Sequence, residues 1–411
     1  MITEGFLKSA RNLMLVVAAL AFSEPALAQH VFTILPRTTS EDPNPITFMR
    51  PYYAIHTAAG SSLSTPPSTA FTPAQIRHAY GFDQITNQGA GQVIGIVDAY
   101  DDPNAESDLG IFDAQFGLPA CTTANGCFRK VYSGGKPATN SNWALEIALD
   151  VEWAHAIAPK ATIVLVEAPT NSLANLLNGV EVAVRNGASA VSMSWTVSEF
   201  SGESSYDNRF VTSGITFVAA AGDSGTGVAY PAASPDVIGV GGTSLHLNSN
   251  GSYQSETAWS GSGGGISSYE REPLYQAQFG IPDDSRGYRG APDVSYNGDP
   301  GTGVAIYDSI GISGAAGWFQ VGGTSAGTPQ WAALIAIANS TRAAERKTNL
   351  STTNTSVYAI AKSSMATDFH AVTSGSNGTC GVLCTATSGY DFVTGLGTPQ
   401  APALISALAA R

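Results

Sequence analysis

From Phe71 onward the chain repeats one alternation, in which short apolar runs rich in β-branched residues are separated by stretches with helical spacing. Val93-Ile94-Gly95-Ile96-Val97 opens it, and a helix is expected from about Ala105 to Gln115. Further strands are expected at Thr162 to Val166, Ala190 to Ser194 and Thr216 to Ala220, with helices near Leu173 to Arg185 and Ser204 to Thr212. Strands apolar on both faces belong in a parallel sheet covered by helices on each side. The expected fold is therefore α/β, a doubly wound and mostly parallel sheet with helices on both faces. Right-handed crossovers then align the loops that follow the strands along one rim, where ligands and catalytic groups collect.

Charge narrows the partners. Lys and Arg total 19 against 32 Asp and Glu, a formal net charge of −13, and no basic cluster is present to displace counterions from a phosphate backbone. Nucleic acid is not an expected partner. At the start, Lys8 and Arg11 precede an apolar stretch from Leu13 to Phe22, and Ala26-Leu27-Ala28 offers small residues for cleavage. Residues 1–28 thus read as an export signal, too short in its apolar part for the ~20 residues that span a bilayer. No later segment is apolar enough to span, so no membrane association is expected once the signal is removed. Residues 29–70, rich in Pro, Ser and Thr, read as a linker or vestigial pro-segment with little structure of its own, and 71–411 as the folded domain. Export makes disulfides plausible for Cys121, Cys127, Cys380 and Cys384. Four cysteines allow three connectivities, of which the two local pairs are expected; neither pair has the Cys-x-x-Cys spacing of a zinc site.

Three motifs carry chemistry. Gly322-Gly323-Thr324-Ser325-Ala326-Gly327-Thr328-Pro329 runs into a helix-like stretch from Trp331 to Ala338, placing Ser325 on a tight turn at a helix start, with Pro329 in the first turn. The same four residues recur at Gly241-Gly242-Thr243-Ser244 ahead of strand-like Leu245-His246-Leu247, so the tetrad alone identifies nothing. None of the six histidines (His30, His56, His78, His155, His246, His370) is followed by Gly-Thr, the signature of a subtilisin-type base. Glu146 and Asp150 stand four apart among Leu, Ile, Ala and Val, a spacing that stacks both carboxyls on one helix face. Proximity and burial raise carboxyl pKa values, so one of the pair can hold a proton while the other accepts one; the competing reading is a solvated acidic stripe. Asp223, bracketed by glycines after Ala219-Ala220-Ala221, stands where a strand ends, and a neutral carboxyl there can donate to an oxyanion. Its plainer role is a turn or a cap.

In the order Glu-Asp, then Asp, then Ser, these motifs resemble the sedolisin family of serine-carboxyl peptidases, over about Phe71 to the C-terminus. Ser192-Met193-Ser194-Trp195, Ser262-Gly263-Gly264-Gly265, Arg289-Gly290-Ala291-Pro292-Asp293-Val294-Ser295 and Gly389-Tyr390-Asp391 ahead of Thr394-Gly395-Leu396-Gly397 add to the likeness. The resemblance implies a subtilisin-like fold and a secreted, acid-active peptidase that cuts proteins internally or, in some members, removes tripeptides. It makes Ser325 the nucleophile, Glu146 the base, Asp150 its partner, Asp223 the oxyanion donor and Asp98 a supporting acid. Its alternatives are a peptidase with a histidine base such as His155, and a non-catalytic binding protein on the same fold. Two departures stand out. Only residues 29–70 separate the signal from the matching region, where the family carries a long folded pro-domain. The family's C-terminal calcium loop would draw on Asp391 and on backbone carbonyls of Val372, Thr387 and Gly389, but Ala371 stands where its first carboxylate is expected, with Asp368 the nearest substitute. Calcium is therefore expected to bind weakly or not at all.

Overall fold

The structure, a computed structural model, describes residues 49–51, 54–55, 63–282 and 287–411. Its frame is a sheet built from β1 (Val93–Ala99), β2 (Phe128–Tyr132), β3 (Thr162–Ala168), β4 (Ala190–Met193), β5 (Thr216–Ala220), β6 (Val237–Leu247), β7 (Tyr253–Ala258) and β8 (Val294–Asn297). The strand order is β7-β6-β5-β4-β1-β3-β2, with β8 also paired to β6. Every neighbouring pair is parallel except β6 with β7. The chain winds outward from β1 in both directions, so the loops that follow β1, β4 and β5 meet at one rim.

Helices α1 (Ala105–Phe116), α2 (Ser141–Ile157), α3 (Leu173–Arg185) and α4 (Thr324–Ala344) cover the two faces. Strand alternation assigns the sides. Ile94 and Ile96 of β1 join the core that holds Leu145, Leu149 and Leu334, whereas Val97 joins the core of Leu173, Leu176 and Val180. Asp98, in phase with Ile94 and Ile96, therefore points towards α2 and α4. α3 lies close on the other face: Gly179 leaves room for Val97, and a Cβ there would come within 2.8 Å of it.

Two expectations are corrected. The helix near Ser204 to Thr212 is a 3-10 helix over Glu203–Phe210, where Ser, Asp and Asn are poor α-formers. α4 begins at Thr324, so Ser325 stands at the helix start, but Pro329 lies inside the helix and not in its first turn. Within residues 29–70, Arg50–Pro51 pairs with the strand Trp195–Ser198, and Ala54–Ile55 pairs with the strand Ala315–Gly322. Residues 1–28, with their export reading, lie outside the described residues. No described helix is long and apolar enough to cross a membrane. Both local cysteine pairs are disulfides, Cys121 with Cys127 and Cys380 with Cys384.

Candidate active site

α2 starts at Asn140, whose side chain accepts from the amides of Asn142 and Trp143, and every residue from Trp143 to Ile157 is buried. Its Trp, Leu, Ile, Val and Ala residues are spread around the whole circumference, which places the helix in an interior although it also carries Glu146, Asp150, Glu152 and His155. α2 lies between the sheet, α4 and the hairpin of Val304–Ile312 with Ala315–Gly322, and carries Glu146 and Asp150 into that interior at 0% exposure. The solvated-stripe reading is thereby ruled out. Asp98, also 0% exposed, faces the pair from β1.

Ser325 arrives from the opposite direction. The strand Ala315–Gly322 ends, Gly323 turns the chain at φ 120°, and α4 begins with Thr324. A side chain disfavours that φ, which is why glycine stands there. Ser325 Oγ donates to the Ser194 carbonyl at 3.4 Å. Ser194 Oγ in turn donates to Asp150 Oδ1 at 2.8 Å, tying the loop after β4 to α2. Asp223 follows β5. Its Oδ1 accepts from the Thr324 amide and the Thr324 hydroxyl, each at 2.8 Å, while its buried Oδ2 has no hydrogen-bond partner among the described residues. The Gly222 amide donates to Thr324 Oγ1 at 3.0 Å, closing the turn. Gly263 packs so tightly here that a Cβ would lie 2.0 Å from the Ala221 carbonyl, which explains the glycine-rich Ser262-to-Gly265 loop. Beside Asp223 lies a cleft of about 100 Å³ bounded by Ser198, Ser224, Thr226 and Val228.

The electrostatics follow from burial. Glu146 is raised well above the ordinary carboxyl range, first by burial and then by Asp150 and Asp98; the Ser325 hydroxyl acts the other way. Asp150 is raised well above its usual value by burial and by Asp98, with Ser194 opposing. Burial pushes Asp98 up to about 8 and Asp223 to about 7, the latter opposed by the Thr324 bonds. Three of these carboxyls form one coupled set, whose protons leave in steps that belong to the set and not to single residues. Neither Glu146 oxygen has a well-aligned hydrogen bond among the described residues, so its carboxyl is available to the nearby Ser325 hydroxyl.

The structure thus brings together Glu146, Asp150, Asp98, Asp223 and Ser325. His155 does not join them. It lies one and a half turns further along α2, with Nε2 2.8 Å from the Pro119 carbonyl and 3.4 Å from Asp113, and burial lowers it to about 4. Arg289-to-Ser295 proves to be structural: Arg289, wholly buried, pairs with Asp293 at 2.6 Å and donates to the Ala232 and Val237 carbonyls. Sequence reasoning missed the positioning parts played by Ser194 and Thr324, although both lie inside recognisable motifs. For Thr324 the available signal was its place next to Ser325; for Ser194 it was only its place in the Ser192-to-Trp195 motif.

The residues expected around calcium are bonded within the chain. Asp391 Oδ1 accepts from the Val393 and Thr394 amides, and Oδ2 from Thr394 Oγ1 and the Thr387 amide. Asp368 is bonded by Ser364 of its own helix, and Ala371 has no side-chain oxygen. No carboxylate oxygen of Asp391 is left without a donor, and Val372 and Gly389 bring only backbone groups.

Comparison with known proteins agrees with this geometry. The subtilase family model matches residues 138–411. Kumamolisin of Bacillus sp. (strain MN-32) is 32% identical over 402 residues, covering 87% of this chain and 68% of that protein. Sedolisin of Pseudomonas sp. (strain 101) is 32% identical over 238 residues, 51% of this chain and 38% of its own length. The solved structure of Pseudomonas sedolisin, a serine-carboxyl proteinase complexed with two molecules of pseudo-iodotyrostatin, superimposes with a TM-score of 0.71 at 25% identity, covering 83% of this chain and 98% of that one. On sequence, fold and the ordered set of acids around one serine, the chain belongs to the sedolisin family of serine-carboxyl peptidases, within the wider subtilase family.

Proposed function

We propose that this peptidase is an exported, acid-active endopeptidase that cleaves proteins through an acyl-enzyme on Ser325. The observation that carries the reading is Asp223 Oδ2, a buried carboxyl oxygen with no partner among the described residues, on a residue fixed to Thr324 one position before Ser325. A carboxyl raised to about 7 keeps its proton in acid, and a fixed O–H donor aimed at developing charge lowers the barrier most where water is excluded. Glu146 takes the Ser325 proton as Oγ attacks the substrate carbonyl and returns it to the leaving amine. Asp150 and Asp98 share the remaining protons, so that one negative charge in the set suffices for a base in acid. Ser194 holds Asp150 in line, which makes it a positioning residue.

Export rests on residues 1–28 and agrees with the two disulfides. Calcium has no part in this reading. Casein digestion at pH 4 by the purified protein, beside Ser325→Ala, tests it: the wild type digests and the variant does not. Equal digestion by both would remove Ser325 from the chemistry.

A further inference from the structure

We propose that Asn377, carried on a hairpin closed by the Cys380–Cys384 disulfide, is a positioning residue that holds the two glycine-rich walls of the cleft beside Asp223 in place for a peptide substrate. The inference rests on the reading of Ser325 as nucleophile and Asp223 as its oxyanion donor. A peptide that presents its carbonyl to both groups lies against that cleft. One wall is the turn after Asp223, with Gly225, Thr226 and Gly227; the other comes from the Ser262-to-Gly265 loop, through Gly263.

The walls differ in how they are rooted. The Ser262 hydroxyl anchors its own loop, accepting from the Gly242 amide at 2.9 Å and donating to the Val393 carbonyl at 3.1 Å. The turn after Asp223 has no such anchor. Its Gly225 amide donates to the Gly261 carbonyl at 2.8 Å, and Gly227 and Gly264 exchange amide-to-carbonyl bonds at 2.9 Å. Among the described residues, the hydrogen bonds of Gly225, Thr226 and Gly227 go only to that opposite wall and to the hairpin of Asn377. With φ at 76° for Gly225 and 131° for Gly227, this turn also depends on the residue type that loses most chain freedom when it is ordered.

Asn377 reaches both walls. Its carbonyl accepts from the Thr226 amide at 2.9 Å, and its Nδ2 donates to the Ser262 carbonyl at 2.8 Å. One residue, 4% exposed, thus ties the unanchored turn to the anchored loop from behind the cleft. The approach is close enough that a Cβ at Gly225 would lie 2.8 Å from the Asn377 carbonyl oxygen.

The hairpin is itself held at both ends. Ser376 bridges Thr385, the Asn377 amide donates to the Cys384 carbonyl at 3.0 Å, and the disulfide closes the turn between them. At the base, Val372 and Ala386 are buried with Ala258 and Val393, and the Ala258 amide donates to the Ser374 carbonyl at 2.8 Å. At the tip, Cys380 Sγ lies 3.7 Å from Thr226 Oγ1, against the wall itself. A bridge that closes so short a loop removes little freedom from the unfolded chain. Its position gives it a local task, which is to fix the residue that sets the cleft.

Support of this kind acts on binding. A wall that the substrate must order on arrival costs affinity, whereas the geometry at Ser325 in the bound state is unchanged. Loss of Asn377 should therefore raise KM and spare kcat.

The test uses the purified enzyme at pH 4, with a quenched fluorogenic peptide copied from a casein site that it cuts and with melting temperatures read alongside. Asn377→Ala should raise KM about tenfold with kcat within about twofold of wild type, and the double variant Cys380→Ser, Cys384→Ser should raise KM by at least about threefold with the same kcat. Should Asn377→Ala fail to fold, the double variant carries the test alone. A KM unchanged from wild type in a folded variant, whatever its melting temperature, or a fall in kcat at unchanged KM, overturns this inference and leaves the proposed function standing. Absence of cleavage by the wild type overturns the reading of Ser325, and this inference falls with it.

Discussion

Gly241-Gly242-Thr243-Ser244 and Gly322-Gly323-Thr324-Ser325 are the same four residues with different fates. The first stays inside β6, paired with β8 from Gly241 to Thr243 and with β7 at Thr243 and Ser244. Its Thr243 hydroxyl donates to Glu256 at 2.6 Å and its Ser244 hydroxyl to Asp299 at 2.6 Å. The second leaves a strand at Gly322, turns at Gly323 and delivers Ser325 into the first turn of α4. The residues C-terminal to each tetrad decide between them: Leu-His-Leu continues a period of two, whereas Ala-Gly-Thr-Pro-Gln-Trp opens a buried helix. The acids behind the two threonines differ as well. Glu256 is committed to Thr243, Thr398 and Tyr80, a closed network that holds structure. Asp223 commits one oxygen to Thr324 and keeps the other for use. On the proposed function, the carboxyl left incompletely bonded is the one that works.

That contrast breaks most sharply at the serines. Ser325→Ala should lower kcat/KM at pH 4 by at least ~10⁴-fold, as loss of a nucleophile does, while Ser244→Ala stays within about twofold of wild type. Comparable losses in both would mean that the two turns had been distinguished on the wrong grounds. The next largest effect is expected from the base. Glu146→Gln keeps the shape and cannot accept the Ser325 proton, so a fall of roughly 10²- to 10⁴-fold is expected, with Asp150→Asn on the same side but smaller. Both variants should melt no lower than wild type, because like-charge repulsion in a buried set is relieved. Wild-type rates from Glu146→Gln would return the pair to a structural role.

The two acids behind the threonines should separate activity from stability. Asp223→Ala is expected to lower kcat by about 10²-fold, in the range found for loss of an oxyanion donor, and to leave only the Thr324 amide and hydroxyl unpaired. Glu256→Ala leaves several buried hydroxyls unpaired and should cost about 3 kcal/mol in urea unfolding, at ~1–3 kcal/mol for each unsatisfied group. If both variants lost stability and activity alike, the distinction between a committed and a free carboxyl would fail. The smallest effect is expected at Asp391, whose oxygens are already taken: a chelator should move the melting temperature by less than about 2 °C, and a larger fall restored by calcium would show that the loop had kept its ion.

Much of this was legible before the fold, for physical reasons. Apolar β-branched runs placed β1, β3, β4 and β5 close to where they lie, because strands buried on both faces tolerate little else. Glu146 and Asp150 could be paired because helix geometry alone puts i and i+4 on one face. Whether that face was wet or dry could not be read, since it depends on the hairpin of Val304–Ile312 with Ala315–Gly322 that covers α2. Pro329 was misplaced in the first turn of α4 because the Gly, Thr and Ser residues before it have low helix propensity and are held helical by their tertiary setting. Ser194 and Thr324 act through contacts that span 44 and 101 positions of sequence, which no local pattern encodes.

The pH dependence of kcat/KM, measured from pH 3 to 9 on the mature enzyme, tests the central claim most directly. Asp223 can donate only while Oδ2 carries its proton, and burial holds that proton until about pH 7. A carboxyl raised in this way is protonated below its pKa and loses its proton above it, so activity should fall about tenfold per pH unit above about 7, and it should fall again in more acid solution where the coupled set of Glu146, Asp150 and Asp98 becomes fully protonated and Glu146 can no longer accept the Ser325 proton. His155, lowered to about 4, contributes no rising limb near neutrality. A rate that climbs through pH 6 to 7 and holds a plateau at pH 8 to 9 would be the profile of an imidazole base, and would contradict a carboxyl mechanism at Ser325.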